Sequence, residues 1–482
     1  MRRWIVPAAI IAYVLAHALV RSLGLVNISN DDTTSAISAQ SFELGYWLKN
    51  PPLYDWGIWL AFQAFGPGIA AIQLAKAVCL AGGYLCLHLA IRDEIRDVRV
   101  QAAIAVSYVV TAYFGWEFLV IYSHSFAMFL GLGVLALAFM RVLKHGQLGD
   151  FALLGIGIGI CLLGKPIGLI LLACLCLAAL WERRLPNVFW LAGAGVLGAA
   201  IGSPYYLWLL GAAGADDAIG RALTGGSERT LIEAMMLYAQ SVTASAAIFL
   251  LPVGLFAVIA FRGVYDRFGL SGGWIGSDGR DVVSLSRKAT LIGIVIVLII
   301  GVMRSGDIEY RYAAPALILL PVALFGRLDA SDPVVARGLK RFLVQCISVT
   351  LLILVFRAGM LIAASPPVCV PRCASFHDYA PVAAELNRLE LDRAVIVTDD
   401  HYLGANLVRL APDTTVRWVA TDPVPRREVS GRRCALIWQV TWYDWEGRRG
   451  LNAAFGRAWW RDDVETPKRI GSRVRVESGW MP

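Results

Sequence analysis

The sequence predicts a multi-spanning α-helical membrane protein that carries a small α/β domain at its C-terminal end. Its 482 residues are 57% hydrophobic and only 17% charged, whereas an ordinary soluble domain has roughly 25% charged residues. The charges gather in short clusters between long apolar runs. From about residue 365 the composition changes to the mixed pattern of a domain outside the membrane.

Apolar windows of about 17 to 25 residues mark the predicted spans, because a helix of that length crosses the hydrocarbon layer with its backbone amides bonded internally. We expect about eleven spans, at residues 4–26, 68–91, 100–117, 119–140, 150–164, 166–181, 187–210, 235–261, 288–304, 312–326 and 341–364. The first window is too long for a signal peptide, and "HALVRSLGLV" lacks a small-x-small cleavage pattern. It is therefore predicted to stay as a helix.

Basic residues predict the orientation, because short loops rich in Lys and Arg stay on the cytoplasmic side. Six clusters agree on a cytoplasmic N-terminus: Arg2 and Arg3, "RDEIRDVR" (92–99), "RVLKHG" (141–146), "ERR" (182–184), "FRGVYDRF" (261–268), and "GRLD" with "RGLKR" (326–341). Eleven crossings then place the chain after Ala364 on the outer face. This retention signal also accounts for part of the net charge of +8, so nucleic-acid binding is not needed to explain it.

Two domains are expected, a transmembrane domain over 1–364 with an outer loop at 27–67, and an outer α/β domain over 365–482. In the second domain, periodicity indicates a helix over Val382–Leu391, a strand over Ala394–Thr398 and another helix over Leu403–Leu410.

Three cysteines belong to the predicted outer domain. Cys369 and Cys373 stand at its start, in a spacing that fits a disulfide, a redox pair or half of a zinc site, and Cys434 follows. No second pair completes a zinc site, so a metal is the weaker interpretation. Whether Cys369 and Cys373 form a disulfide stays open.

Two adjacent carboxylates, Asp31 and Asp32, follow the first span and lie on the outer face in this topology. They either cap a following helix or carry chemistry. The nearby stretch "LGYWLKNPPLYDWGIWL" (44–60) favours chemistry. Its two prolines break any helix, and aromatic residues, Tyr54 among them, surround Lys49 as in segments that lie at headgroup level.

This loop resembles the first outer loop of bacterial glycosyltransferases related to protein O-mannosyltransferases and to the aminoarabinose (ArnT-like) transferase of lipid A, which have the GT-C fold. Three later segments continue the resemblance over roughly residues 1 to 330, namely "GWEFLVIYSHS" (115–125), "LLGKPIGLILL" (162–172) and "EYRYAAPALILLP" (309–321). The resemblance implies transfer of a sugar from a polyprenyl-phosphate donor to an envelope glycolipid, lipopolysaccharide or protein. It also implies a bacterial inner-membrane protein whose active site faces the periplasm.

The resemblance implies roles for particular residues. Asp31 matches the family's leading acid and is the preferred general base, with Asp32 as its helper. Because Thr33 and Thr34 stand where relatives carry a further Glu, the division between the two acids stays open. The donor's phosphate needs cations as it leaves. The expected substrate-binding residues are Lys49, Tyr54, Glu117, His124, Lys165, Arg304, Tyr310 and Arg311.

Each of these residues also has a structural interpretation. The lysines and arginines near helix ends could extend to the lipid headgroups, and His124 could be a bonded structural group. Asp399, Asp400 and His401 follow a predicted strand, where a turn favours Asp for its own reasons, so they receive no role.

The sequence supports other functions less well. No P-loop or dinucleotide-binding glycine pattern is present, so nucleotide binding is not supported. A transporter or flippase would be expected to show repeat symmetry and charges near mid-membrane; a non-catalytic envelope-polymer assembly subunit is the third alternative. The acid pair is compatible with a divalent cation, but the reaction does not require one. The sugar, the acceptor and the oligomeric state are not readable.

Overall fold

The computed structural model describes residues 4–46, 48–117, 119, 121–212, 230–262, 281–303, 313–362, 378–418, 433–439, 468–470 and 474–480. The chain divides into two compact units. Unit 1 comprises Met1–His17, Leu48–Leu53 and Lys76–Gly359; unit 2 comprises Ala18–Trp47, Tyr54–Ala75 and Met360–Pro482. The predicted domain boundary between residues 364 and 365, together with Cys369 and Cys373, lies outside the described residues.

Helices dominate the chain as far as residue 362. They are α1 (Ile5–Gly24), α2 (Asp32–Ser38), α3 (Leu53–Phe65), α4 (Ile69–Ile91), α5 (Val98–Val110), a π-helical turn (Ala112–Glu117), α6 (Ser125–Lys144), α7 (Leu148–Gly164), a 3₁₀ turn (Pro166–Gly168), α8 (Leu169–Trp181), α9 (Val188–Gly211), α10 (Leu231–Phe249), α11 (Leu251–Ala260), α12 (Val282–Met303), α13 (Ala313–Leu317), α14 (Leu320–Phe325) and α15 (Pro333–Ile362).

Seven helices within the described residues are long and apolar enough to cross a membrane: α1, α4, α6, α9, α10, α12 and α15. Shorter apolar helices occupy the other windows that the hydropathy pattern predicts. The multi-pass helical architecture is therefore confirmed, and the number of eleven crossings stays a prediction.

Two of the predicted spans are each divided into two α-helices. The window 235–261 is divided into α10 and α11, with Pro252 in the first turn of α11, and the window 312–326 is divided into α13 and α14, with Pro321 in the first turn of α14. Proline lacks the amide proton that a continuing helix needs, so each proline begins a new helix.

Glycines bring α7 and α9 into close contact in unit 1. A Cβ atom added at Gly155 would lie 2.8 Å from Leu197, and one added at Gly159 would lie 2.6 Å from Ile201. Small residues allow this approach between helices that have no hydrophobic driving force in lipid. The glycine-rich run of α7 thus serves helix packing.

The C-terminal part of unit 2 contains α16 (Ala380–Arg388), β1 (Val395–Thr398), α17 (His401–Leu410), β2 (Thr415–Trp418), β3 (Arg433–Gln439), β4 (Lys468–Ile470) and β5 (Val474–Trp480). The strand order is β2-β1-β3-β5-β4. Strand β1 pairs in parallel with β2 and β3, and β5 pairs antiparallel with β3 and β4. The two helices and the first strand agree with the sequence prediction to within a few residues.

Gly159→Leu should destabilise the protein by about 1–3 kcal/mol, because the new side chain overlaps Ile201 in a packed interface. Thermal unfolding of the purified protein in detergent measures the change. Gly193→Leu is the matched control on the partner helix, since a Cβ there meets nothing within 4 Å. Equal destabilisation by both changes would show that the α7–α9 contact is not the cause.

Candidate active site

The acid pair stands at the start of a short, tightly bonded helix. Asn30 adopts a left-handed backbone conformation with φ of 57°, which Asn tolerates better than most residues. The hydroxyl of Thr33 donates to the carbonyl of Asn30 at 2.6 Å, and that of Thr34 donates to the carbonyl of Asp31 at 3.0 Å. The two threonines that depart from the relatives' Glu therefore help to fix the turn that carries both acids.

The two acids have different surroundings. Asp32 is only 3% exposed and accepts a hydrogen bond from the Tyr54 hydroxyl at 3.2 Å. The guanidinium of Arg21 interacts electrostatically with both groups, and its Nε donates to the Gln73 amide oxygen at 3.2 Å. Asp31 is half-buried, and its side chain makes no capping hydrogen bond to α2. Asp32 is thus held by internal contacts, whereas Asp31 is the more accessible carboxylate.

Asp55 is a third carboxylate in this part of unit 2, and the sequence reasoning missed it. Its side chain is fully buried, and burial raises its pKa to about 8, an effect that the nearby Ser35 hydroxyl opposes. At neutral pH it is therefore mostly protonated, so it adds little negative charge to the pair. A lone acid in the apolar stretch "LYDWGIWL" is the signal that could have identified it.

Two side-chain amides fix the segment that carries the acids. Asn406 in α17, which is fully buried, accepts from the Ile28 amide at 3.0 Å and donates to the Ile28 carbonyl at 3.1 Å. Gln40 donates to the Val416 carbonyl and accepts from the Val416 amide, each at 2.8 Å. One amide clamp lies before the acid pair in sequence and the other after it. Residues 28–40 are therefore attached at both ends to the C-terminal part of unit 2.

A second set of predicted residues lies in unit 1. The Tyr205 hydroxyl donates to the Leu48 carbonyl at 3.4 Å, and a ring nitrogen of His124 lies 3.2 Å from the Pro51 carbonyl. These contacts anchor the segment that contains the exposed Lys49.

The contacts of His124 favour its structural interpretation. Burial, and then the ammonium of Lys165, lower its pKa to about 3. The ring is therefore neutral, and Nδ1 is the atom that donates to the Pro51 carbonyl. Lys165 follows the end of α7 and donates to the Ser125 hydroxyl at 3.1 Å.

Several predicted residues cannot be placed. Arg304, Tyr310 and Arg311 lie outside the described residues. Glu117 ends the π-helical turn, and its side chain is likewise outside the description. Their expected contacts with substrate stay predictions.

The two acids after β1 differ in their contacts. The Asp400 carboxylate caps α17 by accepting from the amides of Tyr402 and Leu403, whereas the Trp418 indole donates to the backbone carbonyl of Asp399 at 3.0 Å. The Oδ1 atom of Asp399 is buried without a hydrogen-bond partner among the described residues, and burial raises the pKa of this carboxyl to about 6. The structure thus explains Asp400 as a helix cap and assigns no role to Asp399 or His401. Among the described residues, no group of three or more His, Cys, Asp or Glu side chains has the arrangement of a metal site.

The sequence of this chain is similar to those of known membrane glycosyltransferases. The profile of the dolichyl-phosphate-mannose-protein mannosyltransferase family matches residues 49–208. The chain is 26% identical to the lipopolysaccharide core galacturonosyltransferase RgtB of Rhizobium johnstonii, over 89% of this chain and 86% of that protein. It is 25% identical to RgtA of the same organism, over 96% and 89% respectively. The chain is a glycosyltransferase, and its sequence resembles the protein mannosyltransferase and lipopolysaccharide core transferase families.

Solved structures support the same fold. The crystal structure of ArnT from Cupriavidus metallidurans bound to undecaprenyl phosphate matches with a TM-score of 0.59 and 13% identity, covering 98% of each chain. The apo structure of that protein matches with a TM-score of 0.55 and 14% identity over the same share of both chains. The GT-C fold expected from the outer-loop motifs is confirmed, and the glycosyltransferase is a multi-pass membrane protein.

Asp55→Asn should remove a pH dependence of stability. Because the folded-state pKa of about 8 lies above the ordinary value of 3.8 for an Asp carboxyl, the folded protein keeps this proton to higher pH than the unfolded chain. The free energy of unfolding therefore falls by about 1.4 kcal/mol per pH unit between these values and levels off above the higher one. Unfolding followed from pH 5 to 9 should show a smaller slope in the variant. The exposed Asp413 provides the control Asp413→Asn; the same slope in the wild type and Asp55→Asn would contradict the assignment.

Asn406→Leu should lower sugar transfer at least about tenfold in kcat, because the backbone groups of Ile28 lose partners whose absence costs about 1–3 kcal/mol each. Asn406→Asp keeps an acceptor for the Ile28 amide but loses the donor, so an intermediate rate is expected. The exposed helical Asn387 gives the matched control Asn387→Leu. Full activity in Asn406→Leu, with wild-type protease resistance of residues 28–40, would show that Asn406 is not needed to hold this segment.

Proposed function

We propose that this glycosyltransferase moves a sugar from a polyprenyl-phosphate donor to a lipopolysaccharide-type glycolipid on the periplasmic face of a bacterial inner membrane. Two curated relatives that align along most of the chain are named lipopolysaccharide core galacturonosyltransferases. The crystal structure of ArnT from Cupriavidus metallidurans, which has the same fold, contains bound undecaprenyl phosphate. These names support galacturonic acid as the first sugar to test and the lipopolysaccharide core as the first acceptor.

The proposed base is Asp31, and the observation that carries this assignment is the contrast between the two acids. An acceptor hydroxyl must lose its proton as its oxygen attacks the anomeric carbon, so the base must be reachable by substrate. Asp31 is half-buried, while Asp32 is buried and bonded to Tyr54. Asp32 then acts as a positioning residue that keeps Arg21 and Tyr54 in place beside the base.

The donor's phosphate is the proposed leaving group. As the new bond between the acceptor oxygen and the anomeric carbon forms, the bond from that carbon to the phosphate oxygen breaks, and the electron pair leaves with the polyprenyl phosphate. Displacement from the opposite side inverts the anomeric configuration. Negative charge grows on the phosphate, and cations stabilise it without donating a proton. Lys49, which is exposed on its anchored segment, and Lys165 are the described candidates for this contact.

Asp31→Asn should reduce kcat by about 10²–10⁴-fold with little change in KM, because a general base contributes about this factor. Asp32→Asn should be less severe, since it removes a positioning contact. Transfer from a radiolabelled polyprenyl-phosphate galacturonic acid to lipopolysaccharide core in reconstituted vesicles measures both, with Asp413→Asn as control. Wild-type rates in both acid variants would show that Asp31 is not the general base. An inactive wild type would count against this donor, and mass spectrometry of envelope glycans from a deletion strain would then identify the missing sugar.

A further inference from the structure

A basic surface on α15 has no part in the transfer reaction. The surface contains three exposed cations, Arg337, Lys340 and Arg341. Together with Val344 and Gln345 they line an open cavity with a volume of about 450 Å³. Their spacing of three and four residues places the three cations on one side of the helix. We name these three cations and Val344 the α15 basic face.

The opposite side of the helix shows which way this face points. Val335, Gly338, Leu339, Phe342 and Cys346 are buried in unit 1. The α15 basic face is therefore turned away from the helix bundle, toward the surrounding lipid. Further along α15, Val344, Leu351, Leu352 and Val355 are also exposed, each by more than half. An apolar track thus continues from the cations along the helix.

Helix length places the cations at headgroup depth. Helix α15 has 30 residues, and about 20 residues cross the hydrocarbon layer. If the layer ends near Ile362, it begins near residue 342, directly beyond Arg341. The three cations then lie where lipid phosphates lie, and the apolar track lies where acyl chains lie. By the orientation predicted from basic loops, this is the cytoplasmic leaflet.

The arrangement is unfavourable for the chain alone. Like charges three and four residues apart repel each other. The Asp332 carboxylate caps the start of α15 by accepting from the Val334 amide at 2.8 Å, which leaves the repulsion among the three cations in place. Within the described part of the chain, no carboxylate forms an ion pair with any of the three cations.

We propose that the α15 basic face binds the headgroup of an acidic glycerophospholipid, with its acyl chains along the exposed apolar track. The phosphate diester supplies the anion that the three cations lack, and Arg can hold two of its oxygens at once. Basic sites beside transmembrane helices on the cytoplasmic side suit such headgroups. This inference does not depend on the proposed transfer reaction.

The full-length protein in detergent, titrated with fluorescent phosphatidylglycerol, tests the proposal. Arg337→Gln, Lys340→Gln and Arg341→Gln together should weaken binding at least tenfold, and phosphatidylcholine should bind poorly to the wild type. The control combines Arg92→Gln, Arg96→Gln and Arg183→Gln, three exposed cations on the same predicted side, and should stay within twofold of wild type.

Other outcomes would overturn the proposal. Equal weakening in the control triple would show nonspecific charge attraction. Displacement of phosphatidylglycerol by stoichiometric undecaprenyl phosphate would assign the face to the polyprenyl lipid, and displacement by millimolar inorganic phosphate would reveal a simple anion site. Because removing three retention charges can disturb insertion, Arg341→Gln alone provides a second variant. It keeps two cations and should weaken binding severalfold, and wild-type affinity in this variant would also contradict the proposal.

Discussion

The candidate catalytic acids, Asp31 and Asp32, stand on a segment that two side-chain amides attach at both ends. A primary amide has a donor and an acceptor side by side, so a single Asn or Gln can pair with both backbone groups of one residue, as a neighbouring β-strand would. Asn406 does this for Ile28, and Gln40 does it for Val416. Buried peptide groups need such partners. The amide clamps therefore supply, on either side of Asp31 and Asp32, the fixed geometry on which a positioned catalytic group depends.

Charge balance around the acids follows from that fixed geometry. Asp32 is buried, which would be costly for a carboxylate without partners. Tyr54 donates a hydrogen bond to it, and Arg21 supplies a positive charge from the last turn of α1, where a cation also interacts favourably with the helix dipole. Asp55, whose pKa burial raises to about 8, stays mostly neutral nearby. The result is one compensated acid and one accessible acid, which suits proton removal better than two equivalent carboxylates.

The sequence predicted those features that depend on local pattern. Apolar windows located the helices, and periodicity located the first strand and its flanking helices. The loop motifs point to Asp31, Asp32, Lys49 and Lys165, whose roles stay predictions. Tyr54, which was expected to bind substrate, is instead buried and donates to Asp32. The amide clamps could not be predicted, because Ile28 and Asn406 are 378 positions apart and a single Asn carries no signal of its partner. Two predicted spans are divided at Pro252 and Pro321. These divisions could have been predicted from the prolines themselves, but a hydropathy window averages the apolar character of many residues and so does not detect a single proline. The neutral state of Asp55 required its burial to be known.

The C-terminal part of unit 2 uses its parallel strands for support. In parallel α/β sheets, ligands commonly bind beyond the carboxyl ends of the strands. Here the residues beyond β1 and β2 are engaged with one another, because Asp400 caps α17, Trp418 donates to the Asp399 carbonyl, and the His401 ring lies 4.9 Å from that of Trp418. These contacts fix the start of α17, the helix that carries Asn406. A sheet edge that elsewhere holds a ligand therefore holds the helix whose Asn406 attaches the acid-bearing segment.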